Sequence, residues 1–320
     1  MSNASTHADR PDWAVAIHGG AGSISRDAPV AHEPEIRTVL AQSLRAAGDI
    51  LAKGGTALDA VQAAVVVLED SPYFNAGRGA VFTAEGTNEL DAAIMDGLKL
   101  RAGAVSGLTH VKNPVKAARA VMEASPHVFM YGAGAEAFLR TQPIEFVDPS
   151  YFRTDERWEQ LERARRIDKR PLEAFASPAE RYLGTVGAVA LDRDGNLAAA
   201  TSTGGLTNKK FGRIGDTPVI GAGTYADNRS CAVSATGEGE YFIRLAVART
   251  ICARVEFDGE SIERAARAVI EDRLTALGGE GGVIVIDRTG RIATAMNTPG
   301  MSRGRLVAGG EPEVKLYADE

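Results

Sequence analysis

The stretch GTVGAVALD, residues 184–192, places a Gly-Thr pair directly before a run of small and branched apolar residues. Residues 185–191 predict a buried β-strand. The Asp-Gly turn that follows and the apolar run 197–203 predict a hairpin with it. A threonine at the start of such a strand is often only structural. It can also present a hydroxyl at the open end of a sheet. Other parts of the sequence are needed to tell a structural threonine from a catalytic one.

Thr185 becomes a candidate nucleophile if its own amino group is freed. A threonine hydroxyl is a poor nucleophile without a base, and no histidine or lysine stands close to it in the sequence. A cut between Gly184 and Thr185 would release an α-amino group with a reference pKa of about 7.7–8.0, within reach of the hydroxyl. Glycine before the threonine leaves the peptide bond unhindered. A noncatalytic threonine is still the commoner case, so this pair alone decides nothing.

The residues before this pair differ in composition from the rest of the chain. Acidic and basic residues are dense from 153 to 170, and Pro171 and Pro178 follow them. Such a segment can form a helix but can supply little of a hydrophobic core. The sequence therefore predicts a single domain over 1–320, interrupted at about 150–184 by an exposed, mobile connector.

Helices and strands alternate in groups along the chain. Thr56 and Asp59 form a capping box at the start of one helix, and Asn113-Pro114 opens another. The predicted helices cover 35–53, 57–69, 241–255 and 262–274. The predicted strands cover 13–18, 89–96, 127–131, 185–191, 197–203, 219–224, 231–235, 283–286 and 291–295. Grouped strands with grouped helices between them predict an α+β fold in which helices are layered on sheets.

Composition excludes several functional classes. With 36 basic and 42 acidic residues the net charge is −6, which argues against a nucleic-acid-binding protein. No apolar run approaches the length of a membrane span, and residues 1–12 are too polar for a secretory signal. We therefore expect a soluble, cytoplasmic protein that contacts neither nucleic acid nor membrane.

Cysteine and histidine are too few and too scattered to build a metal site. Cys231 and Cys252 can form one disulfide, but buried free thiols are expected in a reducing compartment. The five histidines show no zinc-binding spacing. They are His7, His18, His32, His110 and His127. No cofactor is therefore expected to be required.

Two glycine-rich segments fit the dinucleotide-binding expression G-x-G-x-x-A, at 132–137 and 221–226. Two matches in a chain with 35 glycines show how weak that expression is. A nicotinamide-dependent oxidoreductase is an alternative with little support.

Seven motifs resemble, in order and spacing, the plant-type asparaginases or isoaspartyl peptidases of the N-terminal nucleophile hydrolase superfamily. They are HGGAG (18–22), NAGRG with ELDAAIMD (75–79 and 89–96), GTVGAVALD (184–192), TSTGG (201–205), GRIGD (212–216), TGEGE (236–240) and NTPGM (297–301). The resemblance covers residues 13 to about 303. It implies a four-layer αββα sandwich that cuts itself into chains 1–184 and 185–320 and assembles as a dimer of cleaved protomers, a heterotetramer.

The resemblance also assigns the catalytic residues. Thr185 is the nucleophile, and Thr203 bonds and tunes it. Thr236 and Gly237 form the oxyanion site, where a hydroxyl and a backbone N–H face the developing charge. Asn75 has a supporting role beside the site.

The same comparison implies a substrate clamp. Arg213 would bind an α-carboxylate and Asp216 an α-ammonium group, which suits a fork-shaped cation and a carboxylate. Glu238 departs from the family, which often has a neutral residue there, and an inward Glu238 would change substrate preference. The full implied substrate-binding set is Arg213, Ile214, Gly215, Asp216, Thr236, Gly237, Glu238 and Gly239.

The loop 68–78 resembles one that binds a sodium ion through main-chain carbonyls, and oxygen ligands suit a hard cation. The implied ligands are the carbonyls of Leu68, Glu69, Ser71, Phe74, Ala76 and Arg78. A loop without a metal is about equally expected from the sequence alone, so the ion is only a possible structural one.

The motifs together predict an autoprocessing hydrolase of L-asparagine and β-aspartyl dipeptides that acts through a β-aspartyl-threonine intermediate. Glycosylasparaginase, with the same fold, is the nearest alternative. The missing signal peptide and the few cysteines disfavour it. A noncatalytic binding protein is a third possibility, which an absence of self-cleavage would favour.

Overall fold

The computed structural model of the protein describes residues 10–22, 31–167 and 184–320. Within these ranges the strands form two sheets, one of eight strands in the order β12-β11-β1-β5-β6-β2-β3-β4 and one of four in the order β10-β9-β8-β7. Neighbouring strands are antiparallel except for the β3–β4 pair. The strands are β1 Ala14–Gly22, β2 Leu90–Asp96, β3 Ala102–Leu108, β4 Phe129–Tyr131, β5 Val186–Leu191, β6 Leu197–Thr203, β7 Thr224–Ala226, β8 Cys231–Gly237, β9 Gly281–Asp287, β10 Ile292–Met296, β11 Gly300–Val307 and β12 Glu313–Tyr317.

The helices pack against both sheets, so the protein has the predicted α+β organisation. The first three helices contact the eight-stranded sheet, and two helices of the C-terminal part contact the four-stranded sheet. The helices are α1 Glu33–Ala52, α2 Ala57–Glu69, α3 Pro114–Ala124, α4 Gly132–Leu139, α5 Asp155–Ile167, α6 Gly239–Leu245, α7 Val247–Asp258 and α8 Ile262–Arg267, with short 3-10 turns at Gly77–Gly79 and Pro149–Phe152. None of the helices in the described ranges is long and apolar enough to cross a membrane.

Strand β5 is buried on both faces, which explains its unbroken apolar run. Val186, Ala188 and Ala190 belong to the core between the larger sheet and its helices. Val189 and Leu191 belong to the core between the two sheets. Because neither face meets water, the strand shows no polar alternation.

The predicted hairpin of β5 and β6 is present, and its register places the Gly-Thr pair. The Asp192 carboxylate accepts a hydrogen bond from Asn196 N at 2.8 Å, and Gly195 has a φ of 80° in the turn. Val186 pairs with Ser202. Thr185, one residue before β5, therefore lies beside Thr203, the last residue of β6.

Two predicted helix boundaries are confirmed by local geometry. Helix α2 spans Ala57–Glu69, and the Thr56 hydroxyl accepts a hydrogen bond from Asp59 N at 3.1 Å, as the capping pair predicts. Helix α3 begins at Pro114, directly after Asn113.

Three element predictions were wrong in detail. Residues 219–223 form a turn and not a strand, because Gly221 has a φ of 93° and Gly223 N donates to Asp216 O. The predicted helix 241–255 is divided at Ala246, whose φ is 44°. The predicted helix 262–274 continues beyond α8 as a π-helix, Ala268–Leu274. Strands β3, β11 and β12 were not predicted, since their many glycine and polar residues hide the pattern.

The first part of the predicted connector is packed along one face of α5 and exposed on the other, so the prediction of an exposed segment holds only in part. Leu161 of α5 is fully buried, and Arg157 is 2% exposed and donates from Nε to Gly79 O at 2.8 Å. The Trp158 ring stacks edge-on against Phe82 at 5.2 Å. One face of a highly charged helix can therefore still anchor to the core. Residues 168–183 lie outside the described residues.

The expectation of free thiols is also wrong. Cys231 of β8 and Cys252 of α7 are buried and joined by a disulfide, with their Cα atoms 5.3 Å apart. Sequence spacing cannot show this, because the strand and helix meet only when α7 packs on the smaller sheet.

Candidate active site

The predicted nucleophile lies against the predicted tuning residue. The Thr185 hydroxyl is 3.0 Å from the Thr203 hydroxyl, and the latter accepts a hydrogen bond from Gly205 N at 3.1 Å. Because a backbone N–H already donates to Thr203 Oγ1, the proton of that hydroxyl is available to Thr185. This arrangement suits a threonine whose oxygen gains negative charge during attack.

Asn75 holds the peptide bond between Gly184 and Thr185. Its backbone N–H donates to the Gly184 carbonyl at 3.0 Å. Its side chain donates from Nδ2 to Gly205 O at 2.7 Å and accepts from Val81 N at 3.0 Å. One buried residue therefore fixes both the carbonyl before Thr185 and the loop after Thr203. The sequence had predicted only an unspecified supporting role for Asn75.

His18 contacts the nucleophile from the other side. It is fully buried in β1, and its Nδ1 lies 3.0 Å from the Thr185 carbonyl oxygen. Burial lowers the pKa of His18 to about 3, against a smaller opposing effect of that hydrogen bond. The imidazole is therefore neutral at physiological pH. The sequence showed His18 only as part of a motif and gave it no role.

Thr236 and Gly237 end strand β8 in the smaller sheet. The Thr236 hydroxyl accepts a hydrogen bond from Ala21 N at 3.3 Å. Ser234, two residues earlier and on the same strand face, contacts His18. Thr236 is thus directed toward β1, the strand that also carries His18. A side chain at Gly237 would collide with the Phe242 ring, which keeps this position open only to glycine.

The GRIGD and TGEGE segments of the implied substrate set lie together although they are separate in the sequence. A Cβ at Gly239 would lie 2.8 Å from Nη2 of Arg213 and 3.0 Å from Oδ1 of Asp216. A Cβ at Gly215 would lie 2.8 Å from Nη1 of Arg213. Glycine at both positions lets the guanidinium group lie directly against the backbone, because a side chain at either position would overlap it.

Arg213 is already paired on one edge. Its Nε and Nη2 donate to the Glu240 carboxylate at 2.8 Å each. This two-bond pairing fixes the plane of the guanidinium group. Glu240 lies in the TGEGE motif, but the sequence gave it no role.

Asp216 is a buried carboxyl group with an unused oxygen. It is 6% exposed, and its Oδ2 has no hydrogen-bond partner. Burial raises the pKa of Asp216 to about 7, partly offset by the positive charge of Arg213. A buried, unpaired carboxylate beside a paired arginine suits a bound ammonium group, which would favour its charged form.

Two further members of the implied substrate set are Glu238 and Ile214. Glu238 Oε2 accepts a hydrogen bond from Glu280 N at 3.1 Å. This bond ties one carboxylate oxygen to the residue before β9. Ile214 is 37% exposed.

Asp91 and Lys209 add a buried ion cluster that the sequence did not single out. Asp91 is paired with Thr203 in the sheet, and its Oδ1 accepts from Ser106 Oγ at 2.6 Å. Burial raises the Asp91 pKa, and the charge of Lys209 opposes this. Lys209 itself donates to Glu89 O at 3.2 Å. The cluster supports the loop that follows Thr203.

The predicted sodium loop places its glycines against main-chain carbonyl oxygens. A Cβ at Gly77, which has a φ of 51°, would overlap the Glu69 carbonyl, and one at Gly79 would overlap the Phe74 carbonyl. The Glu69 side chain is buried and accepts from Ser202 Oγ at 2.7 Å. Burial raises the Glu69 pKa to about 8. The loop is therefore tied to the residue next to Thr203.

Other cofactor sites find little support among the described residues. No group of three or more His, Cys, Asp and Glu side chains there is arranged to hold a metal ion. The segment 132–137 begins α4, but it follows β4, which has only three residues. The segment 221–226 leads from a turn into β7 and opens no helix. The second glycine segment thus lacks the strand–helix context of a dinucleotide site.

Comparison with known proteins agrees with this geometry. A family model described as asparaginase matches residues 11–316. An isoaspartyl peptidase of Salmonella typhimurium is 50% identical over 95% of this chain and 98% of its own, and one of Escherichia coli is 50% identical over 96% of both. A probable isoaspartyl peptidase/L-asparaginase of Arabidopsis thaliana is 41% identical over 95% of this chain and 99% of its own. The chain belongs to the asparaginase family.

Proposed function

We propose that this protein is an autoprocessing amidohydrolase that cleaves L-asparagine and β-aspartyl dipeptides and releases L-aspartate. The observation that carries the proposal is the threonine pair at the Gly184–Thr185 bond, with hydroxyl oxygens 3.0 Å apart and the Gly184 carbonyl held by Asn75. The names of the three relatives, which are isoaspartyl peptidases or combine that activity with L-asparaginase, support the substrate class.

Self-cleavage is the first step of the proposed mechanism. Thr185 Oγ1 attacks the Gly184 carbonyl carbon, the C–N bond breaks, and its nitrogen takes the hydroxyl proton. The resulting ester is then hydrolysed by water. The Asn75 N–H, 3.0 Å from the carbonyl oxygen, stabilises the charge that develops there. The products are chains 1–184 and 185–320, the second with a free amine on Thr185.

Substrate hydrolysis then reuses the same hydroxyl. The freed α-amine takes the proton of Thr185 Oγ1, which attacks the side-chain carbonyl of the substrate. Thr236 and Gly237 stabilise the oxyanion, and the leaving group, which is ammonia from asparagine or the second amino acid from a β-aspartyl dipeptide, departs with the proton. Water attacks the β-aspartyl ester and regenerates Thr185. Thr203 stabilises the charged oxygen in both half-reactions.

Arg213 and Asp216 set which substrates fit. Arg213 takes the α-carboxylate through the edge of its guanidinium group that includes Nη1, which is not used in the Glu240 pair, while Asp216 takes the α-ammonium group. Both groups belong to the aspartyl part that all these substrates share. The group that leaves needs no clamp, which accounts for activity on both an amide and a dipeptide.

We further propose the four-layer αββα sandwich of the N-terminal nucleophile hydrolases. The support is that α1, α2 and α3 contact the larger sheet, α7 and α8 contact the smaller one, and the sheets contact each other through β5, β8 and β9. Assembly of two cleaved protomers and a cytoplasmic location remain proposals from the resemblance and the composition.

A sodium ion fits the loop between α2 and the Gly77–Gly79 turn. Gly77 packs against the Glu69 carbonyl and Gly79 against the Phe74 carbonyl, and carbonyl lone pairs are the ligands that a hard cation prefers. The residues that would hold it are Leu68, Glu69, Ser71, Phe74, Ala76 and Arg78. A bound ion would supply a fixed positive charge that stabilises the loop carrying Asn75.

The decisive experiment compares the purified protein with Thr185→Ala. Intact-mass spectrometry under denaturing conditions should show chains 1–184 and 185–320 in the wild type and one full-length chain in the variant. Only the wild type should release aspartate from asparagine or a β-aspartyl dipeptide. A wild type that stays at full length yet hydrolyses asparagine would overturn the mechanism, because Thr185 would lack its free amine.

A further inference from the structure

A chain of polar side chains runs through the otherwise apolar space between the two sheets and ends at Thr185. The Thr224 hydroxyl of β7 donates to Thr201 Oγ1 at 2.6 Å, and Thr201 Oγ1 lies 2.7 Å from Ser234 Oγ. Ser234 Oγ lies 2.8 Å from His18 Nε2. His18 Nδ1 reaches the Thr185 carbonyl at 3.0 Å. Four strands therefore contribute to one line of hydrogen bonds.

The hydrogen-bonding capacity of these groups allows only one proton arrangement at the histidine. The Thr185 carbonyl can only accept, so His18 Nδ1 must carry the proton. A neutral ring then has an unprotonated Nε2, which must accept from the Ser234 hydroxyl. Thr201 in turn can donate to Ser234 while it accepts from Thr224. Every member is satisfied when the donors all point toward Thr185.

The sequence makes room for this chain at one glycine. A Cβ at Gly187 would overlap Ser234 Oγ and would lie 2.5 Å from His18 Nε2. Gly187 is paired with His18 in the sheet, so a side chain there would displace the imidazole from Thr185. The second glycine of GTVG is thus required by Ser234 and His18, which occupy the place of a side chain.

We propose that His18, with its proton on Nδ1, is a positioning residue that anchors the carbonyl of Thr185 and so aims the nucleophile. The inference rests on the proposed function. After cleavage Thr185 is a chain terminus one residue outside β5, and a terminal residue is poorly ordered unless it is tied down. His18 fixes the backbone of that residue while Thr203 contacts its hydroxyl.

A pair of substitutions separates positioning from packing. Asparagine can place its side-chain nitrogen where the histidine Nδ1 lies, so His18→Asn should keep kcat within about tenfold of the wild type. His18→Leu fills the space without a donor and should lower kcat about 100-fold with little change in KM, since small misplacements have effects of this order. Equal losses in both variants, or no loss in His18→Leu, would show that the hydrogen bond to Thr185 does not matter.

Ser302→Ala is the matched control, because Ser302 is a buried hydroxyl on β11 with no hydrogen-bond partner. This substitution removes a buried oxygen near β1 but leaves the line of hydrogen bonds from Thr224 to Thr185 unchanged. It should therefore keep wild-type kcat and KM. A loss in this control equal to that of His18→Leu would mean that any small core change disturbs the site, and would overturn the inference.

A spectroscopic measurement tests the tautomer without using activity. Histidine labelled with ¹⁵N in the wild-type protein, with the His18 signals identified by their absence from His18→Asn, should show a protonated Nδ1 and an unprotonated Nε2 at pH 7. The reverse tautomer, or a doubly protonated ring, would refute the proposal. Because this result does not depend on catalysis, a protein that hydrolyses neither substrate would refute the proposed function separately.

Discussion

Replacing Arg213 should separate self-cleavage from substrate hydrolysis. The Gly184–Thr185 bond is held within the chain by Asn75, so Arg213→Ala should process as the wild type does. Free asparagine must instead be held by its charged groups. Removing the guanidinium group leaves the α-carboxylate of asparagine without a two-bond partner. The value of kcat/KM should therefore fall.

The size of this loss is estimated from how exposed the Arg213–Glu240 ion pair is to water. Truncating one partner of a buried charge pair costs about 2–5 kcal/mol, much of it from the charge left behind in a dry site. The Arg213 side chain is 18% exposed and that of Glu240 is 55% exposed, so water can solvate what remains. We therefore expect the lower end, about 2–3 kcal/mol, which is a loss of about 30- to 150-fold in kcat/KM.

The same substitution should also move the pH profile. Asp216 must be charged to hold the α-ammonium group, so kcat/KM falls as pH decreases through its pKa of about 7. The positive charge of Arg213 lowers that pKa. Without Arg213 the pKa rises, and the acid limb of the profile should shift to higher pH.

The assay measures self-cleavage by gel electrophoresis and kcat/KM for asparagine across pH 5–9, on the same set of variants. Arg213→Lys should recover little, because an ammonium group keeps the charge but not the fork. Arg305→Ala is the matched control, since Arg305 makes the same two-bond pair with Glu313 at 2.9 and 3.0 Å on the surface. Normal processing with near-normal kcat/KM in Arg213→Ala would mean that the α-carboxylate binds elsewhere and that the site is wrongly assigned.

Three further predictions address the rest of the site and the fold. Thr203→Val removes the hydroxyl 3.0 Å from Thr185 and should lower kcat about 100-fold, whereas Thr203→Ser should keep most of it; equal rates in all three proteins would exclude a tuning role. Activity should survive EDTA and fall when choline replaces sodium, and a loss that zinc restores would contradict the threonine mechanism. Reducing the Cys231–Cys252 disulfide, which closes a loop of about 20 residues, should lower the free energy of unfolding in urea by about 3 kcal/mol, while an unchanged midpoint would mean that the bond does not form.

Local patterns determined much of the fold. The apolar run 186–191, the Asp-Gly turn and the capping box at Thr56 predicted elements that the structure contains, because each depends on neighbours within a few residues. The order and spacing of the motifs pointed to the family and to Thr185. Sequence failed where glycine and polar residues hide a strand, as in β11, and where a left-handed Ala246 divides a helix.

The tertiary structure alone decided which groups act on these residues. Asn75 N reaches the Gly184 carbonyl and Glu240 takes one edge of Arg213, contacts that no single segment contains. The disulfide and the packing of α5 also depend on surfaces that meet only in the folded chain. His18 is the clearest case. It lies 167 residues before Thr185, and only adjacent strands β1 and β5 bring an ordinary motif histidine to the carbonyl of the nucleophile. Hydrogen bonds and burial act over a few ångströms in space, so a sequence shows such contacts only where they are local along the chain.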